Sequence, residues 1–127
     1  MDTSVLVDHL RGVTQATSLL RSATRSGISL CSLTVVRTEI LAGMRPKEEK
    51  QTMLLFGVLQ WIDITREIAD AAGALARRYT KSHPTIDIVD YLLAGASRRT
   101  GAQLITLNIK HFPMFPRLQS AYSLPLG

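Results

Sequence analysis

Residues 85–112 read Thr-Ile-Asp-Ile-Val-Asp-Tyr-Leu-Leu-Ala-Gly-Ala-Ser-Arg-Arg-Thr-Gly-Ala-Gln-Leu-Ile-Thr-Leu-Asn-Ile-Lys-His-Phe. Two acids open a predicted helix. Asp87 suits its N-cap, because a short carboxylate accepts bonds from the orphan N–H groups of the first turn. Asp90 falls three residues in, where negative charge is also favoured. Gly101 closes the helix. The run from Gln103 to Leu107 is mostly apolar with β-branched residues, and reads as a strand buried on both faces that ends at the polar Asn108. Taken alone, either acid is better explained as a cap than as a catalyst.

Working outward, two more acids stand at the edges of predicted elements: Asp2 in an Asp-Thr-Ser start, and Glu39 within Thr-Glu-Ile-Leu-Ala-Gly at 38–43. Asp2 or Ser4 caps a short helix over 2–11 with Val5, Leu6 and Leu10 inward. A second helix covers about 14–25, with Leu19 and Leu20 inward, and residues 28–33 form a strand. Thr34 caps a helix to Ala42 that buries Val36, Ile40 and Leu41 and carries Glu39 on its flank. Pro46, Glu48 and Glu49 announce a helix to about Leu59. Trp61 to Ile64 is a short strand, and Thr65 caps a helix with Ile68, Ala72, Leu75 and Tyr79 at helical spacing. Residues 109–116 form a turn-rich connector, and Leu118 to Leu124 is read as an edge strand. Strands alternating with helices signal a parallel sheet covered on both faces, whose ligands bind beyond the carboxyl ends of the strands.

The chain has 127 residues, enough for one domain with a core of its own but not for two. Cys31 is single and sits in an apolar run, so a buried, reduced thiol is expected and no disulfide framework is possible. No basic region precedes an apolar stretch at the start, and no apolar run approaches the length of a membrane span. The expectation is a soluble, cytoplasmic protein with no membrane partner. The net charge is +5, and residues 91–127 hold Arg98, Arg99, Lys110 and Arg117 without a single acid. A basic half beside a few grouped carboxylates suits a polyanionic substrate, although a soluble surface explains the cations equally well.

Under the sheet rule, Asp2, Glu39, Asp90 and Asn108 converge at one edge, with Asp87 nearby. Carboxylates forced together repel unless a cation sits among them. Oxygen ligands without Cys or His suit Mg²⁺, for which Mn²⁺ can substitute, rather than Zn²⁺. An ion held there lowers the pKa of a water and neutralises charge on a phosphodiester during in-line displacement.

The Asp-Thr-Ser start, the Thr-Glu-Ile-Leu-Ala-Gly helix, the Asp-Tyr-Leu-Leu-Ala-Gly-Ala helix and the Thr-Leu-Asn-Ile-Lys-His-Phe segment, in that order and spacing, resemble the PIN-domain nucleases. Within these, the chain is most similar to the VapC toxins of VapBC toxin–antitoxin pairs. The resemblance implies a single PIN-like domain over residues 1–127, a three-layer α/β/α sandwich with a central parallel sheet. It also implies a Mg²⁺-dependent endoribonuclease that cuts structured RNA such as tRNA or ribosomal RNA loops through metal-activated water. A homodimer and silencing by a VapB-like antitoxin are implied as well. Carried over by motif, Asp2, Glu39 and Asp90 are the metal ligands and Asn108 holds the fourth catalytic position. The chain departs from the family pattern in two places. Only Met1 precedes Asp2, where members carry an apolar strand, and the fourth position is the neutral Asn108.

The surrounding polar residues each have two readings. Asp87 is a cap or a support for the ligands, and Thr3 and Ser4 are helix caps or donors to a ligand or substrate oxygen. Arg98, Arg99 and Lys110 are RNA contacts or solvated charge, and the two arginines also complement the helix dipole. His111 reads as packing in the connector rather than as a base. Two other functions stay open: a PIN-fold module that binds RNA but cuts it poorly, and a metal-dependent phosphoesterase acting on DNA or small phosphate compounds.

Overall fold

The structure is a computed structural model that describes residues 2–106 and 109–117. The order is α1 (Thr3–Leu10), α2 (Thr14–Arg25), β1 (Cys31–Leu33), α3 (Thr34–Gly43), a 3-10 turn (Pro46–Glu48), α4 (Glu49–Val58), β2 (Gln60–Ile62), α5 (Arg66–Tyr79), α6 (Ile88–Thr100) and a second 3-10 turn (Ile109–His111). β1 and β2 pair in parallel, with Cys31 opposite Gln60, Ser32 opposite Trp61 and Leu33 opposite Ile62. A parallel pair needs a long crossover, and α3 with α4 supplies it.

The helices form for reasons legible in their ends. Thr65 caps α5, its hydroxyl accepting from the Ile68 amide at 3.2 Å. Asp87 caps α6 by accepting from the Asp90 amide, and the Asp90 carboxylate accepts in return from the Asp87 amide, a reciprocal box that satisfies two orphan donors. At the other end Gly101 takes a left-handed turn, φ 76°, which costs a residue with a Cβ far more than glycine.

α5 and α6 pack tightly because of Gly95. A Cβ placed there would stand 2.9 Å from the Ala72 nitrogen and 3.0 Å from the Ile68 oxygen, so the two backbones touch where a side chain would separate them. Ile68, Ala72 and Leu75 of α5 and Leu93, Ala94 and Ala96 of α6 are buried in the same core as Val5, Leu6, Leu33, Val36 and Phe112. This packing fixes the height of the start of α6 against the rest of the core.

Several expectations are corrected. β1 is only the last half of the run 28–33, and Ile28 is exposed. Thr34 is the first residue of α3 rather than its cap; Leu33 is the N-cap residue and makes no side-chain cap bond. Leu41, expected in the core, is 40% exposed. The helix announced by Pro46 starts as a 3-10 turn, and the second strand is Gln60–Ile62 rather than 61–64. Cys31 is half-buried. Residues 103–106 form no assigned strand, although Leu104 and Thr106 are buried. Among the described residues no ladder forms on this segment, and residues 28–31 and 102–105 both line a groove of about 910 Å³. The edge strand expected over 118–124 lies outside the described residues.

Candidate active site

Two helix starts and one irregular segment meet at the candidate site. Asp2 is the N-cap residue of α1, in extended conformation, yet its carboxylate makes no cap bond. An unused cap forgoes about 1 kcal/mol. Its Oδ2 instead accepts from the Thr106 hydroxyl at 2.5 Å and from the Ser4 hydroxyl at 3.2 Å. The Asp2 amide donates to the Ile105 carbonyl at 3.0 Å, so the segment 103–106 holds this acid through both backbone and side chain. Asp2 is 4% exposed and Thr106 fully buried.

Asp90 is 7% exposed at the third position of α6. Its Oδ2 accepts from the Asp87 amide at 3.3 Å and stands 3.1 Å from Nδ1 of His111. Burial pushes its carboxyl from the ordinary 3.8 up to about 6. The negative charges of Asp87 and Asp2 add to the rise, while the Asp87 amide and His111 oppose it. That Asp2 is among the causes places the two buried acids within electrostatic reach of one another. A buried pair of carboxylates is short of positive charge, which a hard cation relieves.

Of the four acids and amides singled out in the sequence, the structure brings Asp2 and Asp90 together, with Asp87 behind Asp90 as its capping partner. Glu39 stands apart. It is exposed on α3 and lines a cavity of about 310 Å³ with Val7, Leu10, Arg11, Arg45 and Glu48. Val7 is five residues along α1 from Asp2, about 7.5 Å at helical rise. Among the described residues no three His, Cys, Asp or Glu side chains gather as a metal-binding group. Asn108 and the side chain of Thr3 lie outside the described residues.

The basic residues divide. Lys110 is exposed and adjoins His111. Arg98 and Arg99 are at the far end of α6, about 12–14 Å along the axis from Asp90. Arg98 donates to the Met114 carbonyl at 3.2 Å and lies over the Phe115 ring, so it straps the connector to α6. Two participants were missed in the sequence. Thr106 showed only as a polar residue inside an apolar run, and His111 was read as packing.

Known proteins are similar to this chain in sequence and in fold. A sequence model of the PIN domain matches residues 1–116. The chain is 43% identical over 122 residues to Ribonuclease VapC19 of Mycobacterium tuberculosis, covering 96% of this chain and 98% of that protein. It is 38% identical over 125 residues to Ribonuclease VapC10 of the same organism, covering 98% and 93%. A toxin–antitoxin complex from Klebsiella pneumoniae contains a chain of the same fold, with a TM-score of 0.77 over 97% of each chain at 22% identity.

Proposed function

This chain belongs to the PIN-domain family, and from that premise we propose that it is a ribonuclease toxin of the VapC kind, a Mg²⁺-dependent endoribonuclease acting on structured RNA such as tRNA or a ribosomal RNA loop. The observation that carries the reading is the buried Asp2 and Asp90 pair, one member of which is pushed up to about 6. Such a donor set is all oxygen and fits Mg²⁺ or Mn²⁺. When bound, the ion supplies Lewis acidity toward a phosphodiester and toward the attacking water.

The chain's own residues do the rest. Asp2 and Asp90 hold the ion, with Glu39 as the proposed third carboxylate, reaching along α1 from α3, and Asn108 as the fourth group. Ser4 and Thr106 hold Asp2 in place, and the Asp87 amide holds Asp90. Lys110, exposed and next to His111 in the chain, takes the phosphate nearest the cut. Arg99, with Arg98 where its strap to Met114 leaves an N–H free, takes phosphates further along the strand. The protein works in the cytoplasm as a homodimer under a VapB-like antitoxin. The fold's occurrence in a toxin–antitoxin complex and the exposed apolar side chains Met53, Leu54 and Val58 on α4 support a protein partner. No helix among the described residues is long and apolar enough to cross a membrane.

The test is cleavage of total RNA by purified protein with Mg²⁺. Cleavage that stops with EDTA and with Asp90→Ala is the expected result, and activity indifferent to both rejects the mechanism. A second reading is favoured by one observation, the exposure of Glu39 where Asp2 and Asp90 are buried: a PIN-fold module that binds RNA with little turnover. Binding that depends on Lys110 without any cleavage product would select it.

A further inference from the structure

His111 is held where it is by more than one contact. Phe112, its neighbour, is almost fully buried in the core, and Arg98 ties the connector down at Met114. His111 itself is half-buried, with Nδ1 3.1 Å from Asp90 Oδ2. A carboxylate's terminal torsion is broad, so an Asp held by one weak donor swings its two oxygens through a wide arc. Asp90 has two polar neighbours on the same oxygen, the Asp87 amide donating at 3.3 Å from within its own helix and His111 Nδ1 at 3.1 Å from across the site. Asp2 has the same arrangement, with Ser4 and Thr106 both on its Oδ2. Among the described residues, each hydrogen bond recorded to these two carboxylates falls on Oδ2.

We infer that His111 is a positioning residue: its Nδ1–H, together with the Asp87 amide, pins Oδ2 of Asp90 and commits Oδ1 to the cation and substrate. The inference rests on the nuclease reading of the Asp2 and Asp90 pair. His111 supports the ligand without touching the ion. Loss of such a support costs roughly 10- to 100-fold in metal affinity or activity.

The experiment titrates Mn²⁺ into the full-length protein without RNA, following free Mn²⁺ by electron paramagnetic resonance, for wild type, His111→Ala and His111→Asn. The Ala variant is expected to bind Mn²⁺ about 10-fold more weakly or worse. The Asn variant, whose amide nitrogen stands close to where the imidazole Nδ1 stands, is expected to recover most of the affinity. With RNA, kcat falls for the Ala variant while KM stays level. Equal Mn²⁺ affinity in the Ala variant overturns the inference. Tighter binding overturns it too, since His111 would then be a rival cation, and so does a raised KM at unchanged Mn²⁺ affinity, which marks an RNA contact. If the Ala variant does not fold, Asn is compared with His111→Gln, whose amide lies one methylene further out. Retention by Asn alone is expected, and equal affinity overturns the inference. A wild type that binds no Mn²⁺ rejects the nuclease reading and the inference together, whereas a wild type that binds while the Ala variant matches it rejects the inference alone.

Discussion

Replacing Asp90 with Asn should stabilise the metal-free protein at neutral pH, and the size of the effect follows from the site. The native carboxyl titrates near 6 against an ordinary 3.8, so between those values the folded state holds more protons than the unfolded state. Stability therefore falls as pH rises through that window: the penalty is absent below about 3.8 and complete above about 6. A displacement of a little over two pH units, at about 1.4 kcal/mol for each, sets a ceiling of about 3 kcal/mol. Relaxation of the folded chain around the buried charge brings the expectation to about 1–3 kcal/mol. Asn carries no charge to bury, and its side-chain oxygen can still accept from the Asp87 amide. The contact with His111 is already counted in the native value of about 6, since His111 opposes the rise. In EDTA, denaturant melts of wild type and Asp90→Asn at pH 4 and pH 7.5 should differ by an amount that moves about 1–3 kcal/mol in favour of Asn at the higher pH. Adding Mn²⁺ at a hundred times its Kd should then stabilise wild type by about 2.7 kcal/mol and leave the variant nearly unmoved. A stability difference that stays flat with pH, or that moves against Asn as pH rises, refutes the account of a strained acidic pair.

Gly95→Ala should destabilise by about 1–3 kcal/mol, because its methyl meets the backbone of α5 at 2.9 Å; thermal melts check it. The control is Gly73→Ala on α5, where nothing lies within 4 Å and the change should stabilise by about 0.5–1 kcal/mol. Thr106→Val removes the hydroxyl that bonds Asp2 Oδ2 and should cost about 1–3 kcal/mol in a denaturant melt, with weaker Mn²⁺ binding in the same preparation. Glu39→Gln lies at an exposed position and should leave stability within about 0.5 kcal/mol. Its cleavage rate should nonetheless fall at least about 10-fold if Glu39 closes on the ion, and an unchanged rate removes it from the ligand set.

What could be read in advance was what the chain decides locally. α6 was legible at both ends because a cap and a left-handed glycine act within four residues of themselves, and Asp87 and Gly101 do what their types dictate. Thr65 is the same case for α5. Leu41 was misplaced because helical spacing tells which residues share a face but not whether anything covers that face. The run 103–106 was misread for a related reason: β-branched, apolar residues favour an extended backbone, but a strand also needs a ladder, and a ladder is made by some other part of the chain.

The candidate site shows the same division at higher stakes. Local rules made Asp2 a helix cap and His111 a packed ring. Neither description fits, because each residue's decisive partner is remote or supplied by the fold. Thr106 is 104 positions from the acid it bonds, and His111 meets Asp90 only because Phe112 is sunk in the core beside it. An N-cap acid that gives up its cap bond, and a buried acid left close to a second one, are both unfavourable for the isolated fold. Local preference is contradicted at Asp2, one of the three positions where the family resemblance expects metal ligands, while Asp87, Asp90 and Thr65 cap as their types dictate. Burial separates Asp2 and Asp90 from the other described acids on physical grounds, independently of any relative, and its cost is reversible: an ion between them would convert it into binding energy.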